Sequence, residues 1–382
     1  MRFLHTSDLH IGKTVCGFSM LEEQAHALEQ ILDLVRARKV DVVLISGDLY
    51  DRALPPSQAV TLLDDFLTRL VEGGVSVCAI AGNHDSGERI GFASRVLEHR
   101  GLSLEGVVKE QVRYVDWDQD GEKIRIHLLP YARPAQVRDL YHVDCVTYEE
   151  CMQELLRHVE FRRGGKNILL AHQFVVNRGV EPELSDSETR VSVGGADCVE
   201  AADFEPFDYV ALGHIHGCQQ IGEGPVWYSG SPVKYSFSEV HHHKSVILGE
   251  WNREGKLQTE RIALTPVHDM RKIRGRLADL IDPEVVRQAD DQDYLLAVLT
   301  NTEDLVDPIG TLRSVYPNIM QLKLEREQNA GEIAEYAGAE QKEKTPYELF
   351  DQFYGLVMGE ELTEEQRELI QEVIEQAKED GA

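Results

Sequence analysis

The chain has 382 residues, 42% of them apolar and 28% charged, which suits a globular protein of two or three domains and excludes a disordered or collagen-like one. No apolar run is long enough to span a bilayer, and Met1-Arg2 leads straight into a strand-like segment, so a cytoplasmic protein with no membrane partner is expected. Its 39 basic and 67 acidic residues give a net charge of −28, which by itself argues against nucleic acid as a partner, because phosphate binding normally needs a basic surface. Residues 325–382 alone hold 17 acidic and 5 basic side chains, so the tail carries much of that imbalance. Six scattered cysteines without a C-x-x-C pair are expected to be reduced thiols.

In chain order, a first strand over Arg2–Ser7 opens onto Asp8-Leu9-His10. Residues 21, 25, 28, 32 and 35 then mark one face of a helix. The run Asp41–Ser46 is apolar throughout, as in strands buried on both faces, and it ends in Gly47-Asp48-Leu49-Tyr50-Asp51-Arg52. Pro55-Pro56 opens a second helix whose inner face is expected to hold Val60, Leu63, Leu67 and Leu70. A third strand, Val75–Ala81, delivers Gly82-Asn83-His84-Asp85. This β-α-β-α-β opening predicts a layered α/β domain with polar groups gathered at one sheet edge.

Further strands are expected at Gln111–Val115 and Lys123–Leu129, then a helix over Tyr148–Arg162. Asn167–Leu170 empties into Ala171-His172-Gln173, and Tyr209–Leu212 into Gly213-His214-Ile215-His216. Val226–Tyr228 and Ser245–Leu248 are expected to complete a second sheet, closing the domain near Leu264. Residues 265–324 predict a small α+β unit with strands at Tyr294–Leu299 and Ile319–Leu324. A polar linker spans 325–344, and capping boxes at Thr345 and Thr363 predict two amphipathic helices in 345–382 that want a partner surface.

Five strand ends rich in Asp, Asn and His imply one shared site. Asp8, His10, Asp48, Asn83, His172, His214 and His216 supply the carboxylate, imidazole and amide-oxygen donors that divalent ions take. Asp48 is the candidate bridge. Two ions roughly 3.5 to 4 Å apart activate a water and stabilise both ends of an in-line displacement, so the reaction class is phosphoester hydrolysis. His84, one residue past a ligand, is the candidate for protonating the departing oxygen, with the Asp51 carboxylate expected to hold its ring. Arg163-Gly164-Gly165-Lys166 lacks phosphate-loop spacing, so the chain is not expected to hydrolyse ATP. His241-His242-His243 reads as a solvated turn. Lys13, Arg52, Arg89 and Lys234 lie near motif ends, within reach of a nucleic-acid backbone, though isolated cations there are more often plain surface.

These five motifs resemble those of the calcineurin-like metallophosphoesterases, whose fold is a layered α/β/β/α sandwich. A narrower resemblance, to the bacterial SbcD nuclease subunits, comes from His5-Thr6-Ser7-Asp8-Leu9-His10-Ile11-Gly12 and from the segment Tyr228–Glu239. Pro346-Tyr347-Glu348-Leu349-Phe350 in the tail is similar as well. That resemblance implies a manganese-dependent DNA nuclease, trimming double-strand 3′ ends and cutting hairpins and single strands, that acts with an SbcC-type coiled-coil ATPase. It implies one ion on Asp8, His10, Asp48 and His216, and a second on Asp48, Asn83, His172 and His214. His84 matches the catalytic histidine, residues 265–324 a DNA-positioning cap, and the tail helices an ATPase-docking segment. A homodimer within a heterotetramer is implied in the same way. Archaeal relatives carry His at the position of Asp51 and phosphoprotein phosphatases carry Asp, which leaves open whether Asp51 orients His84 or touches DNA indirectly. Gly47-Asp48-Leu49-Tyr50-Asp51-Arg52 is close to the phosphatase G-D-x-x-D-R, so a phosphatase or other phosphodiesterase is the alternative activity. A metal-free binding scaffold on the same fold is the non-enzymatic alternative.

Overall fold

The computed structural model describes residues 1–119, 121–188, 198–252, 254–301 and 305–325, together with 362, 363, 366, 367, 370 and 374. Residues 1–324 form one compact unit and 325–382 a second.

Alternation along the buried strands builds the layers. In the Val42–Ser46 strand, Val43 and Ile45 pack with the helices Leu21–Arg38 and Ser57–Glu72. Val42 and Leu44 point the other way, into a core shared with Ile124, Ile126, Ile168, Leu170 and Tyr209 of a second sheet. With both faces covered, each such side chain contributes about 1.5–3 kcal/mol of burial, which is why the run is apolar without a break. On the far side, Leu169, Val210 and Leu212 pack against the helices Pro134–Tyr141 and Tyr148–Arg157. The result is the expected α/β/β/α sandwich.

The first sheet has the spatial order Leu257–Ala263, Ser245–Trp251, Arg2–Thr6, Val42–Ser46, Ser76–Ile80, Leu102–Glu105. Its last four strands are parallel, and Ser245–Trp251 pairs antiparallel with Arg2–Thr6 in the register Leu4 opposite Leu248. The expectation that Ser245–Leu248 joins the second sheet is therefore corrected. Val246 and Leu248 bury against the first sheet's own helices, a choice hydropathy alone does not make. The second sheet runs Gln219–Gln220, Val226–Tyr228, Tyr209–Gly213, Lys166–His172, Glu122–Leu128, Arg113–Gln119.

Two helix faces also differ from their periodic reading. On Leu21–Arg38, Glu23 and Gln24 are buried and Ala25 is exposed, because both polar side chains are occupied by backbone groups. Glu23 accepts the N–H groups of Val267 and His268, and Gln24 spans Gly12 N and His10 O. On Ser57–Glu72, Val60 is 43% exposed, and Ala59 and Phe66 complete the inner face instead.

The small sheet is three parallel strands, Met270–Gly275, Tyr294–Leu299 and Ile319–Leu324. Met270–Gly275 escapes a hydropathy reading because three of its six residues are cations. One face of this sheet builds its own core from Leu295, Ala297, Leu299, Leu312 and Tyr316. The other carries Met270, Tyr294 and Leu296 onto Val15, Tyr235 and Phe237 of the sandwich. In the second unit, Thr363 N donates to Gln366 Oε1 at 2.9 Å and Gln366 N to Thr363 Oγ1 at 3.4 Å, the two bonds of the expected capping box. The expected linker past residue 325 and the helix opening at Thr345 lie outside the described residues. Among the described residues no helix is long and apolar enough to cross a membrane.

Candidate metal centre

The strands Arg2–Thr6, Val42–Ser46, Ser76–Ile80, Lys166–His172 and Tyr209–Gly213 all run to the same edge of the sandwich, where the two sheets close on each other. Backbone bonds lock the loops together: Asp8 N donates to Gly47 O at 3.1 Å and His10 N to Asp48 O at 2.9 Å. Glycine is required where the sheets meet. A Cβ on Gly213 would lie 1.9 Å from Ser46 O, and one on Gly47, at φ +90°, 2.3 Å from His172 Nδ1. Asp8, His10, Asp48 and His214 adopt φ of 53°, 42°, 51° and 101°, so four of the seven candidate ligands sit in left-handed backbone. Such conformations cost about 1–3 kcal/mol each and persist where the surroundings over-determine them.

All seven candidates are brought together. His10 Nε2 lies 3.2 Å from His216 Nε2 and 3.6 Å from Asp48 Oδ2. Donor atoms of Asp8, His10 and His216 cluster within 4.8 Å of one another, and so do those of Asp8, Asp48 and His172. Asn83 Oδ1 stands 2.9 Å from His172 Nε2 and 3.1 Å from His214 Nδ1, while His172 Nε2 is 3.4 Å from Asp48 Oδ2. Asp48 thus lies between the two groups. Ligand atoms about 2.1 Å from a cation stand roughly 3.0–3.4 Å apart, the spacing seen here.

The donor set fits cations on chemical grounds as well. His172 Nδ1 uses its proton on Ser46 O at 2.8 Å, so in the neutral ring Nε2 turns a lone pair toward the oxygens of Asn83 and Asp48. Lone pairs facing lone pairs in a buried site call for positive charge between them. Burial opposes a charged His172, yet the carboxylates of Asp48 and Asp8 outweigh it and push the ring up to about 9. Burial holds His10 well below the ordinary imidazole range and His214 at about 3, leaving neutral rings with lone pairs to offer.

The His84 ring differs from expectation. Its Nδ1 donates to the backbone carbonyl of Asp51 at 2.9 Å, and the Asp51 carboxylate instead takes Lys13 at 2.7 Å and Arg52 at 3.7 Å. A charged lysine is the stronger partner for that carboxylate, and the tight loop leaves the carbonyl for the imidazole. His84 N also donates to Asp48 Oδ1 at 2.9 Å, and its ring meets His10 edge-on at 4.7 Å. Of the other cations near motif ends, Lys234 pairs with Asp269 at 2.8 Å, and Arg89 is exposed.

Sequence reasoning missed the residues that brace the ligands. Asp85 accepts from Gly82 N, Leu49 N and Tyr50 N at 2.9, 3.0 and 3.0 Å, joining two ligand loops; burial pushes its carboxyl up to about 6. Gln24 holds His10 O at 2.7 Å and the Tyr235 hydroxyl at 3.0 Å. Ser187 Oγ and Glu239 Oε1 lie 2.8 and 3.3 Å from His216 Nδ1. Of these only Gln24 left a signal, a polar side chain on the buried face of the Leu21–Arg38 helix.

The sequence profile of the calcineurin-like phosphoesterases matches residues 1–218. The chain belongs to the calcineurin-like phosphoesterase family. A second profile, that of the type 5 capsule protein repressor C-terminal domain, matches residues 266–357. Over 98% of its length this phosphoesterase is 28% identical to the SbcD subunit of nuclease SbcCD from Staphylococcus epidermidis, of which it spans 98%. Among solved structures, TT1561 of Thermus thermophilus matches 68% of the phosphoesterase with 98% of its own chain, at 15% identity and a TM-score of 0.39. A dimetal phosphatase from Danio rerio matches 69% with 99% of its chain, at 12% identity and 0.38. At these scores neither adds to the family assignment.

Proposed function

We propose that this phosphoesterase is the nuclease subunit of an SbcCD-type complex, cleaving DNA phosphodiesters with two divalent ions, Mn²⁺ in the first instance, beside an SbcC-type coiled-coil ATPase. The observation that carries the reading is the convergence of six donor side chains around a seventh, Asp48, in a chain similar from end to end to the SbcD subunit of nuclease SbcCD. Asp8, His10, Asp48 and His216 would hold one ion, and Asp48, Asn83, His172 and His214 the other. Bound there, the ions would neutralise phosphate charge and supply an activated water. His84, half-buried at the rim and held through Nδ1 by the Asp51 carbonyl, protonates the departing oxygen. Asp51 acts on the ring through its backbone and tethers Lys13 through its carboxylate.

The small sheet supports a nucleic-acid substrate in spite of the net charge. Lys272 and Arg274 alternate along the Met270–Gly275 strand and are exposed, and Lys323 shares their face by register with Val298. That face is the one packed on Tyr235 and Phe237, and the Tyr235 ring lies 5.6 Å from His10. A basic row beside the centre would track a phosphate backbone. The tail helices would dock on the ATPase, and the assembly would be a cytoplasmic heterotetramer with two copies of this chain, acting in DNA repair, recombination and replication.

The deciding experiment is cleavage of a hairpin duplex in Mn²⁺, with and without the ATPase, for the wild type and His84→Ala, beside a chromogenic phosphomonoester. Hairpin cleavage lost in His84→Ala supports the nuclease. Turnover of the monoester alone assigns a phosphatase, the reading that Gly47-Asp48-Leu49-Tyr50-Asp51-Arg52 favours through its likeness to the phosphatase G-D-x-x-D-R.

A further inference from the structure

The two histidines that reach the centre from opposite sides are aimed by different means. His172 is set by a backbone atom, its Nδ1 lying 2.8 Å from Ser46 O at the end of a central strand. His216 is set by side chains. Its Nδ1 lies 2.8 Å from Ser187 Oγ and 3.3 Å from Glu239 Oε1, and its Nε2 faces His10 at 3.2 Å.

Glu239 is wholly buried, on the short turn Phe237–Glu239, and its second oxygen lies 2.5 Å from Lys244 Nζ. The same ammonium group donates to His216 O at 2.9 Å and Ser231 Oγ at 2.8 Å. The ion pair therefore grips His216 at both ends, ring and carbonyl. A buried charge pair is a weak source of stability compared with an apolar pair of equal volume, so its presence beside a ligand calls for another role. An ionised carboxylate only accepts, so it draws the single imidazole proton to Nδ1 and leaves the Nε2 lone pair facing His10.

We infer that Glu239, held by Lys244, is the positioning residue that presents His216 to the centre, so that the ion on the Asp8–His10–His216 side depends on it and the ion on the His172 side does not. This rests on the two-ion reading above, and extends it to an unequal pair of sites with a side-chain lever on one of them.

The test is Mn²⁺ binding to the full-length protein, followed by calorimetry and by the electron paramagnetic resonance signal of a spin-coupled ion pair. Wild type takes two ions per chain and gives the coupled signal. Glu239→Leu keeps one ion at wild-type affinity, weakens the other by about 10- to 100-fold and gives a single-ion spectrum. Glu239→Gln, whose amide oxygen still accepts from Nδ1, recovers the coupled pair. Should Glu239→Leu fail to fold, Glu239→Asp keeps the charge for Lys244 while withdrawing the oxygen from the ring, and is expected to show the same selective loss. Two ions at unchanged affinity in the folded Leu or Asp variant, or equal weakening of both ions, overturns the inference. A wild type that takes up no Mn²⁺ overturns the metal reading itself, a result distinguishable before any variant is measured.

Discussion

His84 Nδ1 lies 2.9 Å from the backbone carbonyl of Asp51, while the Asp51 carboxylate takes Lys13 Nζ at 2.7 Å and stands 3.8 Å from His10 Nδ1. The bond that aims the imidazole thus survives any side-chain change at position 51. Removing the imidazole in His84→Ala is expected to lower turnover by roughly 10²–10⁴-fold, the range of a lost general acid, with both ions still bound. Asp51→Asn, which keeps the carbonyl, should fall well short of that loss. Steady-state cleavage measured beside Mn²⁺ titration separates the two, and equal losses in the two variants would show that the carboxylate matters to the ring.

Gly213 closes the gap between the sheets, with room for no more than a hydrogen against Ser46 O. Gly213→Ala must push two strand ends apart and should cost about 1–3 kcal/mol, as overpacking does. Because His214 follows Gly213 and His172 Nδ1 bonds to Ser46 O at 2.8 Å, Mn²⁺ affinity should fall with the melting temperature. A Gly213→Ala protein of unchanged melting point would refute the close approach.

His5 is buried, its Nε2 donating to Leu212 O at 3.1 Å and its Nδ1 accepting from the Tyr209 hydroxyl at 2.9 Å. Burial pushes its titration down to about 3. Between there and the unfolded value near 6.5, the unfolded chain holds a proton that the folded one does not, so stability rises with pH. The contribution is whole above about pH 6.5 and is lost as pH falls toward 3, by roughly 1.4 kcal/mol per unit. Urea unfolding at pH 7 and pH 5 should show wild type losing about 2 kcal/mol more than His5→Gln. Parallel losses would place the acid sensitivity elsewhere.

Lys272 and Arg274 stand two residues apart on one face of the strand, and both side chains are exposed. If that row touches phosphates, replacing both by Gln should weaken binding to duplexes of any sequence. The slope of log affinity against log salt should also fall by about one for each phosphate released, or roughly two. Fluorescence anisotropy over a salt series reads this directly, and an unchanged slope removes the row from the DNA path.

Much of the centre was legible because strand ends punctuated by glycine and followed by Asp, Asn or His have few structural uses in common, and five such ends in one chain have fewer still. The sandwich followed from apolar runs that never alternate, as in Val42–Ser46. What stayed hidden depended on pairing partners far away in sequence. Ser245–Trp251 has the same composition whichever sheet it joins, and only its register with Arg2–Thr6 decides. Met270–Gly275 is a strand because Met270 rests on Phe237 and its neighbours and Ile273 on the small sheet's own core, while Lys272 and Arg274 reach solvent farther along the Met270 face, which no local pattern reveals. Glu23 and Gln24 on a helix face, and Glu239 in a short turn, are buried because each satisfies groups brought near only by folding.

The pairing of Arg2–Thr6 with Ser245–Trp251 also bears on how the molecule is made. A ribosome must release some two hundred and fifty residues before the first strand made finds its second neighbour, and His214 and His216 emerge only shortly before that. The nascent chain therefore carries Asp8, His10 and Asp48 for most of its synthesis without their partners. The full set of ligands exists only once His216 has been made, with more than half of the chain already synthesised.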